Sequence, residues 1–223
     1  MSESEEIRIR VEGHGDVSGL LLRLSKPRWL LLLAHGAGAG MRHPFMAKLA
    51  HELAAVGVAT LRYQFLYMEQ RRRAPDSPAI ATAVVAAATR AASQAAPGLP
   101  LLAGGKSFGG RMTSHAAAQG LLDGVRGLVF FGFPLHPPST PGTKRADHLP
   151  KVSVPMLFLQ GTRDTLADLT LLRPVCAQLG PRATLHVVES ADHSFHVLKS
   201  SGMDDAAALR HLAETTASWA DHL

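Results

Sequence analysis

Apolar residues fall in short dense runs, separated by stretches rich in glycine, proline and charge. Residues 29–34, a tryptophan, four leucines and an alanine, are apolar without interruption. Such a run predicts a strand buried on both faces of a sheet. Residues 58–63, 101–103, 127–131, 154–159 and 184–188 predict further strands of the same kind. Residues 7–11 alternate apolar and charged side chains, as an edge strand does, and residues 17–24 predict its antiparallel partner across a turn at 13–16. Helical patterning fills the intervals. Pro44 in a first turn, then Phe45, Leu49 and Leu53 and a stop at Gly57, predict one helix. Asp76, Ser77 and Pro78 read as a cap and first-turn proline for an alanine-rich helix ending before Pro97. A small-residue helix is predicted over 111–119, and an amphipathic one over 204–223 with Leu209, Leu212 and Trp219 as anchors.

Strands alternating with helices from end to end predict an α/β fold, a mainly parallel, doubly wound sheet flanked by helices. The 223 residues suit one such domain over 1–223. The longest irregular connection, residues 134–150, is too short for a cap domain and is expected to form at most a small flap.

Composition narrows the partners. Hydrophobic content of 46% and charged content of 18% describe a folded globular chain. Much of the local basic excess behind the net charge of +5 lies in Arg71-Arg72-Arg73, read first as a solvated loop and second as a docking point for an anionic group. Basic residues do not recur along a helix with aromatics between them, so nucleic acid is not an expected partner. No apolar run is long enough to span a bilayer, so a membrane is not expected either. Cys176, the only cysteine, allows no intrachain disulfide. The N-terminal Met1-Ser2-Glu3-Ser4-Glu5-Glu6 is unlike a secretory leader, and a cytoplasmic location is the expectation.

The chemistry is carried by three strand ends. Gly105-Lys106-Ser107-Phe108-Gly109 follows the strand at 101–103 and precedes a helix, a G-x-S-x-G pattern in strand–turn–helix context. The sharp turn presents a serine oxygen above a helix N-terminus, and the glycines remove side chains that would collide with neighbouring elements. A serine hydroxyl needs an imidazole to take its proton and a carboxylate to orient that imidazole. Asp164 lies in the loop after the strand at 154–159, with Asp168, at the start of the next helix, as its competitor. His193 lies in the polar loop after the strand at 184–188, with His196 as its competitor; Asp192 is expected to shape that loop. The amide of Phe108 is the expected first oxyanion donor. The second is expected from the Gly-rich loop His35-Gly36-Ala37-Gly38-Ala39-Gly40-Met41, with Ala37 first and Gly38 second. This loop lacks the endings of phosphate- and dinucleotide-binding loops, and no Cys/His cluster suggests a metal, so neither cofactor nor metal is expected. His35 is expected to brace the loop. Ser114 and His115, adjacent on one helix, point apart. His43, His51, His211 and His222 are expected to be solvated.

Serine, aspartate and histidine in that chain order, each after its own strand, follow the α/β-hydrolase arrangement. The four segments around Ala37, Ser107, Asp164 and His193 resemble the α/β-hydrolase superfamily over nearly the full length. More narrowly, they resemble its small capless branch, similar to dienelactone hydrolase and to the hydrolase-like domain of a subunit of the NSL chromatin complex. The resemblance implies Ser107 as nucleophile, Asp164 as acid, His193 as base, and Ala37 and Phe108 as amide donors. Dienelactone hydrolase itself uses a cysteine where this chain has Ser107, so its specific reaction is not implied. The expected activity is hydrolysis of carboxylic esters with small or exposed acyl groups, on a small-molecule ester or related acyl substrate. The rival expectations are a catalytically silent scaffold for protein binding, and acyl transfer or peptidase activity on the same three groups. Oligomeric state is left open.

Overall fold

The computed structural model describes residues 4–223, built around a single eight-stranded sheet. In chain order the strands are β1 (Ser4–Val11), β2 (Gly15–Leu22), β3 (Trp29–Ala34), β4 (Val58–Tyr63), β5 (Leu101–Lys106), β6 (Val125–Phe131), β7 (Met156–Gly161) and β8 (Ala183–Val188). Their order across the sheet is β1-β2-β4-β3-β5-β6-β7-β8. The β1–β2 and β2–β4 pairs are antiparallel, and every pair from β4 to β8 is parallel. The parallel strands therefore all end on the same edge.

The helices are α1 (Pro44–Ala55), α2 (Leu66–Glu69), α3 (Pro78–Ala95), α4 (Phe108–Ala118), α5 (Leu169–Leu179) and α6 (Asp205–Ala220). β3 shows why its sequence is apolar throughout. Leu30, Leu32 and Ala34 face a core layer that includes α3, α4 and α5, whereas Trp29, Leu31 and Leu33 face a second layer with α1 and α6. A strand with helices on both sides has no polar face.

Element boundaries differ from the sequence expectation in instructive ways. β5 runs on to Lys106, and α4 begins at Phe108 rather than at 111, because the chain reverses within one residue, Ser107. β7 starts at Met156, just after Pro155, which has no amide to give to a ladder. α2 lies inside the arginine-rich segment read as a loop, and α5 holds Pro174 within it. In α1 the buried residues are Met46, Leu49, Ala50 and Leu53, while Phe45 is only partly covered.

Residues 134–150 form no flap. Leu135, Ala146 and Leu149 are buried in the core, and a 3-10 turn at Leu149–Lys151 packs on α4. The His136 amide donates to the Leu166 carbonyl, and the Asp168 amide donates to His136 Nε2 at 2.9 Å, pinning the segment to the loop after β7. Among the described residues no helix is long and apolar enough to cross a membrane.

Candidate active site

Ser107 has φ 50° and ψ −115°, a left-handed backbone that a non-glycine residue adopts only when its surroundings enforce it. The neighbouring glycines are the enforcement. A Cβ on Gly105 would lie 2.3 Å from the Ala34 carbonyl oxygen, and one on Gly109 would lie 2.6 Å from the carbonyl oxygens of both Ala34 and His35. β5 and α4 thus press against the end of β3, and the serine at their junction projects above the sheet edge.

Three loops bring three side chains together there. His193 Nε2 lies 2.8 Å from Ser107 Oγ, and His193 Nδ1 lies 2.7 Å from Asp164 Oδ2. The Asp164 side chain is fully buried. Its Oδ1 accepts from the Leu166 amide at 2.8 Å, and its Oδ2 also accepts from Gln160 Nε2. Gln160, at the end of β7, is itself fixed by accepting the Phe133 amide at 3.0 Å. Held by these two donors, Asp164 presents Oδ2 to His193 Nδ1, which orients the imidazole so that Nε2 faces the serine.

The competitors have other employment. Asp168 caps α5, accepting from the Thr170 amide and hydroxyl. His196 is exposed and bonds Asp205. Asp192 accepts from the amides of Ser194 and His196, which closes the loop that presents His193.

The Gly-rich loop after β3 supplies amides on the opposite side. Gly38 N–H donates to the Tyr67 hydroxyl at 2.8 Å, so that amide is taken. The amides of Ala37 and Phe108 have no acceptor among the described residues. His35 braces the loop from within: its Nδ1–H donates to the Gly36 carbonyl and its Nε2 accepts the Phe65 amide. Burial lowers His35 to about 4, so it stays neutral in the tautomer this arrangement requires. Tyr67 is held in turn by Asp76, which accepts the Tyr67 amide at 2.9 Å and pairs with Arg72. One arginine of the basic run therefore has a structural task, and Asp76 supports α2 while Ser77 caps α3 ahead of Pro78, as expected of that segment.

These groups open into a cavity of about 420 Å³ lined by Ala37, Phe45, Met46, Ser107, Leu166 and His193. No residue of 134–150 lines it. Lys106 lines it as well, and its Nζ is buried with no hydrogen-bond partner among the described residues. Sequence reasoning missed Lys106, Gln160 and Tyr67. Their nearness in sequence to Ser107, Asp164 and the arginine run gave no sign of what they touch.

One histidine differs from expectation. His211 is half-buried, with its Nε2 2.7 Å from that of His186. Ser114 and His115 do not pair with each other, but both engage His148: Ser114 Oγ lies 2.7 Å from its Nε2, and the two imidazoles stack at 3.6 Å. Ser114 is fully buried, so this second serine–histidine contact faces no substrate. Among the described residues no three of His, Cys, Asp and Glu gather closely enough to hold a metal ion.

Residues 27–221 match the family described as the alpha/beta hydrolase domain, and the chain belongs to that family. The dienelactone hydrolase of Anabaena variabilis superposes with a TM-score of 0.74, at 22% identity over 99% of this chain and 98% of that one. A lidless α/β serine hydrolase of Xanthomonas campestris superposes at 0.73, with 18% identity over 97% and 96%. At these identities the likeness establishes a shared fold. Curated relatives in Mycobacterium tuberculosis, named as candidate phosphoribosyl transferases, are 29% identical over 98% of this chain but only 46% of their own length. The chain thus spans about half the length of the curated relatives it matches.

Proposed function

We propose that this hydrolase-family protein is a serine esterase, cleaving carboxylic esters with small or exposed acyl groups through an acyl-enzyme on Ser107. The observation that carries the reading is the continuous hydrogen-bonded chain from Ser107 Oγ through His193 to Asp164, at 2.8 and 2.7 Å. In this mechanism His193 Nε2 accepts the Ser107 proton as Oγ bonds to the acyl carbon. The carbonyl π electrons move to oxygen, and the amides of Ala37 and Phe108 meet the resulting oxyanion at the N-terminus of α4. As the carbonyl re-forms, the C–O bond to the leaving alcohol breaks, and the imidazolium gives that alcohol its proton. Water, deprotonated by the same imidazole, then attacks the acyl-enzyme and releases acid and free serine. Asp164, hydrogen-bonded to His193 Nδ1, stabilises the imidazolium.

The size class follows from the cavity. At about 420 Å³, with no lid segment over it, it suits a small acyl group with the leaving group in solvent. We take the transferase in the names of the longer relatives to refer to the half of those proteins that lies outside this chain. A panel of p-nitrophenyl esters of increasing chain length tests the reading. Turnover should be greatest on acetate and butyrate and fall steeply beyond; preference for long chains would contradict the size class, and no turnover of any ester would contradict the esterase assignment.

A further inference from the structure

The residue before the nucleophile is a buried cation that this mechanism has not used. The Lys106 stem passes beside Gly36, with its Cγ 3.6 Å from where a Cβ on that glycine would stand. Its Nζ ends 3.0 Å from the corresponding point on Gly132, and His193 Cε1 and Nδ1 lie 3.4 Å from that same point. The ammonium and the imidazole are therefore no more than about 6.4 Å apart. The rings of Phe45 from α1 and Phe195 from the loop after β8 complete the enclosure, with centroids 5.9 and 5.7 Å from Nζ. Phe195 reaches this place from a left-handed backbone at φ 61°. The two rings stack at 6.2 Å. Among the described residues no oxygen accepts a hydrogen bond from the ammonium.

A lone buried cation is costly to keep, and an apolar side chain would fill the same space more cheaply. The carboxylates acting on it are Asp164, after β7, and Asp192, after β8; both favour the charged form, yet burial outweighs them and Lys106 falls to about 8. At neutral pH a positive charge thus stands beside the Cε1 and Nδ1 atoms of the imidazole.

We propose that Lys106 is a positioning residue whose buried positive charge, held beside His193, opposes protonation of the imidazole and keeps the base available in mildly acidic solution. The proposal rests on the serine-hydrolase reading. Like charges this close disfavour each other, so removing the lysine charge makes the imidazole easier to protonate and also a stronger base once neutral. The two effects have opposite signs on either side of the working range, a pattern that loss of packing cannot produce.

The test is the second-order rate of fluorophosphonate labelling of Ser107 from pH 4.5 to 9.5, for wild type, Lys106→Met and Lys106→Arg. Circular dichroism at each pH verifies folding. Wild type should climb in two steps, the second as Lys106 loses its proton. Lys106→Met should climb in one step, its acid limb displaced upward by about one pH unit, so that labelling near pH 5.5 is about tenfold slower while the alkaline plateau is no lower. Lys106→Arg, which keeps its charge throughout, should hold the wild-type acid limb and lack the second step. A Lys106→Met profile parallel to wild type overturns the proposal, as does an acid-limb shift in Lys106→Arg; the arginine result decides if the methionine variant does not fold. If wild-type Ser107 does not label at all, the hydrolase reading itself fails, which is a different result from labelling that ignores Lys106.

Discussion

Replacing Lys106 by methionine should make the protein more stable, not less, at neutral pH. The lysine is buried and its Nζ has no hydrogen-bond partner among the described residues. Burial lowers it from 10.5 to about 8. A difference of about 2.5 units, at about 1.36 kcal/mol each, makes the protonated lysine cost the fold about 3 kcal/mol. Because the folded value lies below the unfolded one, the cost is fully present below pH 8. Between about 8 and 10.5 the unfolded chain binds more protons than the folded one, so stability rises with pH and the cost is relieved. Methionine matches the lysine stem in length and requires no desolvation of charge. Loss of the two ring contacts offsets about 0.5–1 kcal/mol each, leaving a net gain of about 1–2 kcal/mol at pH 7. Urea denaturation of both proteins at pH 7 and pH 10 reads this directly. The advantage of Lys106→Met should be largest at pH 7 and shrink or reverse at pH 10. A variant that is destabilised at pH 7, or whose difference from wild type does not change with pH, would refute the reasoning.

Three further predictions follow from the same geometry. Gly109→Ala forces a Cβ to 2.6 Å from two carbonyl oxygens at the end of β3; thermal melts should show a loss of at least about 1–3 kcal/mol, and an unchanged Tm would mean the elbow has slack. Asp164→Asn preserves shape but favours the wrong imidazole tautomer, and steady-state kinetics on p-nitrophenyl butyrate should show kcat reduced about 10⁴-fold with little change in KM. His35, lowered to about 4 by burial, should still show a neutral Nδ1–H imidazole in long-range ¹H–¹⁵N spectra at pH 5.5; a protonated ring there would contradict the bracing role.

The parts of this molecule that could be read from sequence are those whose cause is local. β3 announces itself because a strand covered on both sides must be apolar at every position. The grouping of Ser107, Asp164 and His193 was legible because each follows a strand, and parallel strands end on one edge. The bracing role of His35 was also anticipated. α2 was not visible, since four residues are too few to show a period, whereas the start of α5 at Asp168 was. The choice between the Ala37 and Gly38 amides depended on Tyr67, whose hydroxyl reaches Gly38 from another loop. In the capping segment before α3 Ser77 takes the cap, and that Asp76 carries Tyr67 and Arg72 could not be seen. Lys106 reads as an ordinary charge beside a serine; only the packing of Phe45, Phe195, Gly132 and His193 around it shows that it is buried. In each case the missing information was a contact between distant segments.

The central claim is that Ser107 is a nucleophile activated by His193. Treatment with a fluorophosphonate, followed by intact-mass measurement and peptide mapping, tests it most directly. The account predicts one phosphonyl adduct per chain on Ser107, formed by wild type, absent in Ser107→Ala and strongly slowed in His193→Ala. Equal labelling of wild type and Ser107→Ala, or an adduct mapped to another residue, would contradict it.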